Sequence, residues 1–135
     1  MKKYKVFIKQ IDWFDKENPE ADVLFEINGA VFWAFCHPCN FKENEIAEVY
    51  FDFLEDEVSE LIFWTENKNC KVELIQSENN RCRYYCYGQL KSINPVTVNC
   101  GLINFYFKDW ISNSSVIGNY VYFVIERFDI QKVIK

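Results

Sequence analysis

The sequence predicts an all-β, single-domain protein: an antiparallel, partly closed barrel with room for one short helix. Three observations lead there. Polar and apolar residues alternate at period two in several stretches. Turn residues interrupt those stretches about every ten positions. Phe, Trp and Tyr make up 19% of the 135 residues, and rings suit a pleated, half-buried surface. With half of the residues hydrophobic, the chain has material for a core and does not have the composition of a disordered one.

Residues 3–13 alternate. Tyr4, Val6 and Ile8 form one face of a first strand and Lys3, Lys5, Phe7 and Lys9 the other, so the Tyr-Val-Ile face is expected inside. Asp15 to Glu20 is a turn, since Pro19 bars a helix interior. Residues 22–36 form a hairpin about Asn28-Gly29, a pair that tolerates the positive φ of a type I′ turn. Val23, Phe25 and Ile27 share one face of its first strand. Its second strand, with Val31, Phe32, Trp33 and Phe35, is apolar on both faces, so its outer side needs a cover.

Residues 45–54 are a strand with Ala47, Val49, Phe51 and Phe53 inward and Ile46, Glu48, Tyr50, Asp52 and Leu54 outward. Helix competes there through Glu45, Ala47 and Glu48, but the aromatic and β-branched content favours strand. A helical turn is expected at Glu55–Glu60, a short strand at Leu61–Trp64 and another over residues 70–76. Tyr84 to Phe107 reads as a meander: a long strand bent at Gly88, a turn at Asn94-Pro95, a short strand, a turn at Cys100-Gly101 and a third strand. Gly118 precedes a last strand, Tyr120–Ile130, in which Val121, Phe123, Ile125 and Arg127 oppose Tyr122, Val124, Glu126 and Phe128.

Gly88, Leu90, Ser92-Ile93, Pro95-Val96 and Val98, then Cys100-Gly101, then Gly118, Tyr120-Val121, Phe123 and Ile125 resemble elements of an oligonucleotide/oligosaccharide-binding (OB) Greek-key barrel, where bends at glycine close a small sheet. The resemblance covers the C-terminal half and implies a ligand face without naming a ligand.

Charge is uneven. The chain carries −5, whereas Glu43 to Glu60 alone holds eight acids and no base, leaving +3 elsewhere. Such a stretch repels phosphate backbones and steers cationic partners, although acidic runs also serve simply as solvated faces. The expected function is therefore non-catalytic binding of a basic protein partner through Glu48, Asp52, Glu55, Asp56 and Glu57. Immunity proteins, small acidic inhibitors of cationic bacterial toxins, have this general character. Nucleic acid is disfavoured by the net charge. Tyr85 and Tyr87 with Arg83, and Tyr120 with Tyr122, form the alternative ligand face, on which bases of a single strand or an oligosaccharide would stack.

A third alternative rests on cysteine. Cys36-His37-Pro38-Cys39 is a C-x-x-C, a spacing used by redox dithiols and by half of a zinc site. Cys82 and Cys86 complete four thiolates poorly: on one strand they stand about 13 Å apart. Buried reduced thiols are the simpler expectation, because the N-terminus carries no signal-peptide pattern and a cytoplasmic location follows. No cofactor is expected. His37 is the only histidine, no nucleophile elbow surrounds Ser92 or Ser114, and no Gly-rich phosphate loop is present, so catalysis is not expected.

Overall fold

The computed structural model describes residues 2–57 and 59–134. Nine strands occur among them: β1 (Tyr4–Asp15), β2 (Glu20–Ile27), β3 (Ala30–Cys36), β4 (Ile46–Glu55), β5 (Glu73–Gln76), β6 (Tyr84–Ile93), β7 (Val96–Asn99), β8 (Asn104–Phe107) and β9 (Tyr120–Lys132). One helix, α1 (Glu60–Thr65), and a 3-10 turn at Ser114–Val116 complete the set. The fold is all-β and mostly antiparallel, as alternation predicts. The chain divides into two compact units. The first comprises Met1–Leu54, Ser77–Arg83 and Glu126–Lys135; the second comprises Glu55–Gln76 and Tyr84–Ile125.

The first unit is a ring of hydrogen-bonded strands in the order β3-β2-β1-β4-β9. It closes where β3 meets β9 in parallel, at Phe35↔Asp129. Tyr4, Val6 and Ile8 are buried as predicted. Beyond Ile8 the register against β2 shifts by one residue, a bulge that turns Ile11 inward instead of Gln10. β2 and β3 form the expected hairpin, with Asn28 at φ 47° and Gly29 at φ 86°, both in the left-handed region that a type I′ turn requires. Val23, Phe25, Val49, Phe51, Phe128 and Ile130 fill the interior. The Phe51 ring lies 5.2 Å from that of Phe25 and 4.9 Å from that of Phe128. Each such ring contributes about 1.5–3 kcal/mol by leaving water.

Two arginines cover the outer side of β3. The Arg81 guanidinium lies 3.8 Å from the Trp33 ring centre and that of Arg127 lies 4.3 Å from the ring of Phe35. A planar, weakly hydrated cation can cover a ring while still reaching a carboxylate. Arg81 does so at 2.8 Å to both Asp12 and Asp22.

In the second unit β6 pairs with β5, β7 and the first half of β9, and β8 pairs with β7. The meander over Tyr84–Phe107 is present as predicted. Gly88 matters for close approach: a Cβ there would lie 2.6 Å from the Asn99 carbonyl oxygen and 2.6 Å from Val98 Cγ1. The buried Asn67 side chain donates to the carbonyls of Lys71 and Val121 and accepts the Lys71 N–H, tying a loop to β9.

Four sequence expectations are corrected. Leu61–Trp64 is helical, within α1, because Ser59 Oγ accepts the Ile62 N–H at 3.2 Å and Glu60 sits in the first turn. The helical turn expected at Glu55–Glu60 is not formed at Glu55, which ends β4, and Val58 of that stretch lies outside the described residues. Residues 70–72 precede β5 instead of belonging to it, since Cys70 has φ 53°. In β9 the inward alternation steps by one residue between Ile125 and Phe128, so Phe128 is buried and Arg127 faces outward, whereas strict alternation grouped Arg127 with Val121, Phe123 and Ile125, which are buried. The step falls where β9 leaves its pairing with β6 at Ile125.

Candidate functional site

β4 positions the central side chains. Period two sends Ala47, Val49 and Phe51 into the core and leaves Ile46, Glu48, Tyr50, Asp52 and Leu54 on the opposite face. Ile46 is 68% exposed and Leu54 49%, so this stripe presents apolar ends around an acidic middle. Glu48 stands opposite Lys5 of β1, and the Asp52 carboxylate accepts the Phe53 N–H at 2.9 Å.

Tyr50 and Asp52 open into a cleft of about 580 Å³ at the seam of the ring, shared with Glu20, Phe35, Arg127 and Asp129. β3 and β9 meet at a single bridge there, which leaves room beside it. Arg127 grips Asp129 with two bonds, Nε to Oδ1 at 2.7 Å and Nη2 to Oδ2 at 3.1 Å. Burial pushes the Asp129 carboxyl above the ordinary range; the Arg127 bonds pull it back and the charge of Asp52 raises it further. Three carboxylates, Glu20, Asp52 and Asp129, thus line the cleft with one guanidinium. His37 also lines the cleft. The chemistry on offer is reception of a cation with an apolar shaft, through carboxylates beside the Tyr50 and Phe35 rings.

The structure distributes the sequence-derived candidates. Glu48 and Asp52 share the β4 stripe in the first unit, whereas Glu55, Asp56 and Glu57 belong to the second. Glu55 and Glu57 are exposed and Asp56 half-buried, its carboxylate accepting the Glu57 N–H at 2.8 Å. Two other acids of the same run hold the fold: Glu43 accepts the Ile11 N–H, and Glu45 pairs with Lys132 at 2.8 Å.

Of the alternative ligand face, Tyr85, Tyr87, Tyr120 and Tyr122 lie half-buried in the second unit. Tyr87 and Tyr122 oppose each other across β6 and β9 with ring centres 4.8 Å apart. Burial, reinforced by Tyr87, pushes the Tyr122 phenol up to about 12. Arg83 belongs to the first unit, where it pairs with Glu126 at 3.1 Å.

All six cysteines are free thiols, and only Cys70 is exposed. Cys82 precedes β6 and is not part of a strand shared with Cys86. Cys36 and Cys39 are both buried, on either side of the His37-Pro38 turn, and the Cys36 thiol donates to the Pro38 carbonyl at 3.6 Å. Among the described residues no group of three or more His, Cys, Asp or Glu is placed to hold a metal ion, and no helix is long and apolar enough to cross a membrane.

Sequence reasoning reached Asp52 but missed Glu20, Arg127 and Asp129. Arg127-x-Asp129 at strand spacing was a usable signal, because i and i+2 share a face. No protein-family model, curated protein or solved structure matches the chain.

Proposed function

We propose that this chain is a non-catalytic binding protein that receives a basic protein partner on its acidic surface. The observation that carries the reading is the outward stripe of β4, where Glu48 and Asp52 lie between exposed Ile46 and Leu54 and lead into the carboxylate-rich cleft. Apolar anchors among charges are the usual anatomy of a protein interface, and acidic clusters raise encounter rates with cations. A lysine or arginine of the partner would enter the cleft, its charge beside Asp52 and Asp129 and its shaft along Tyr50. A toxin domain neutralised by an immunity-type inhibitor is one partner of this chemistry. Glu55, Asp56 and Glu57, which belong to the second unit, are the remaining acids of the reading.

The test is capture from a lysate of the producing cells by immobilised wild-type protein, by Glu48→Lys/Asp52→Lys and by Asp56→Lys/Glu57→Lys. A basic protein retained by the wild type, eluted by salt and lost with the first double variant supports the reading. Retention indifferent to salt and to both reversals removes it. Base or sugar stacking on Tyr85, Tyr87, Tyr120 and Tyr122 is the competing reading. Quenching of tyrosine and tryptophan fluorescence by oligonucleotides at low salt would favour it instead.

A further inference from the structure

Cys36 is the last residue of β3, and period two points it inward, where it is 1% exposed. The chain turns at His37-Pro38 and brings Cys39 back, buried as well. The loop is held in place because the Cys39 N–H donates to the Pro19 carbonyl at 2.7 Å. Within it the Cys36 thiol points back over the turn, its Sγ 3.6 Å from the Pro38 carbonyl oxygen, against the peptide that leads into Cys39. The two thiols are therefore buried neighbours across one turn in the reduced protein.

Surroundings divide the labour between them. The bond from Cys36, joined by the Phe41 N–H, outweighs burial and lowers Cys39 to about 7. The same bond and burial push Cys36 up. A thiolate is the nucleophile in thiol chemistry, and donors aimed at a sulfur are what create one. Cys86 and Cys100 also neighbour each other, but burial pushes both up. They form an internal control: a buried thiol pair in which burial outweighs the one donor, the Ile125 N–H at Cys86.

We propose that Cys36 and Cys39 are a redox-active dithiol that a peroxide closes to an intramolecular disulfide and a small thiol reductant reopens. The Cys39 thiolate attacks one oxygen of hydrogen peroxide; an S–O bond forms, the O–O bond breaks and hydroxide leaves. That hydroxide takes the Cys36 proton and becomes water. The Cys36 thiolate then attacks the Cys39 sulfur, the S–S bond forms, the S–O bond breaks, and the second hydroxide takes a solvent proton. Two thiols lose two electrons, one peroxide gains them and two waters result. Reduction runs through a mixed disulfide on one of the two sulfurs. The proposal does not rest on the partner reading, although His37, between the two cysteines, also lines the cleft.

The experiment uses the full chain. Reduced protein is treated with hydrogen peroxide, unfolded, alkylated and digested with trypsin. Cleavage after Lys16 and Lys42 releases a peptide whose only cysteines are Cys36 and Cys39. The expected product is that peptide unalkylated and about 2 Da lighter than its reduced form, accepting two labels after treatment with dithiothreitol, while Cys86 and Cys100 are labelled throughout. Cys36→Ser should instead leave a sulfenic acid on Cys39 that dimedone traps. In untreated wild type, the alkylation rate of Cys39 should rise through a midpoint near 7, as its pKa of about 7 requires. Full double labelling of the peptide after peroxide, or a disulfide joining other cysteines in its place, overturns the proposal.

Discussion

The two units solve the same problem with different chemistry. Each must cover a strand face carrying large rings. In the first, cations do it: Arg81 lies over Trp33 while bonded to Asp12 and Asp22, and Arg127 lies over Phe35 while bonded to Asp129. In the second, rings cover rings. Phe123 meets Phe105 and Phe107 edge-on, and Phe63 of α1 meets Trp64 and Trp110. Close backbone approach at Gly88 and the Asn67 amide do the rest. The contrast teaches that one composition can hide apolar surface under charge or under more apolar surface. Only the first solution responds strongly to salt and pH.

The largest expected effect lies in the second unit. Gly88→Ala places a methyl group against Asn99 and Val98 of β7 and should cost about 2–3 kcal/mol through overpacking, read from urea unfolding. A loss equal in low and high salt sharpens the contrast, and an unchanged midpoint breaks it. Next is Asn67→Ala. It strips the donor from the Lys71 and Val121 carbonyls and should cost about 1–3 kcal/mol. Hydrogen exchange should then quicken in the 67–71 loop before it does elsewhere.

Arg81→Met keeps a shaft over Trp33 but removes both ion pairs. About 1 kcal/mol is expected, because the pair with Asp22 is half-buried and that with Asp12 exposed. The difference from wild type should shrink at ~1 M salt. It should also depend on pH. Bonds from Gln10 and Arg81 lower Asp12 in the folded state. Its contribution is therefore complete above the unfolded carboxylate range and lost as pH falls through the lowered folded value. Stability of the variant should accordingly decline less on acidification than that of the wild type. Smallest is Glu48→Lys/Asp52→Lys, expected within about 0.5 kcal/mol of wild type despite the large loss of partner binding that the proposed function requires. A melting point lowered as much as in Gly88→Ala would show that the stripe serves the fold rather than recognition.

Strand positions were legible in the sequence because they depend on neighbours. Tyr4, Val6 and Ile8 declare their face by spacing alone, Asn28-Gly29 declares its turn by φ, and β4 declares both faces. The site was legible only in part. Asp52 stood out by charge and the Cys36/Cys39 pair by spacing. Glu20, Arg127 and Asp129 did not, because no local pattern says that β9 will come beside β3. α1 also escaped notice, since Phe63 and Trp64 favour strand by composition while the Ser59 cap acts against that preference.

What the sequence by itself determined is the inventory: period-two strands, the hairpin, the meander and an acidic stretch at residues 43–60. These follow from the sterics and solvation of adjacent residues. What only the tertiary structure decided is the pairing of distant segments. The ring closes at Phe35↔Asp129, ninety-odd positions apart in the chain; the inward face of β9 steps by one residue, and the cleft opens beside that closure. Such choices depend on which remote partner best satisfies hydrogen bonds and burial together, and no window of neighbouring residues contains that comparison.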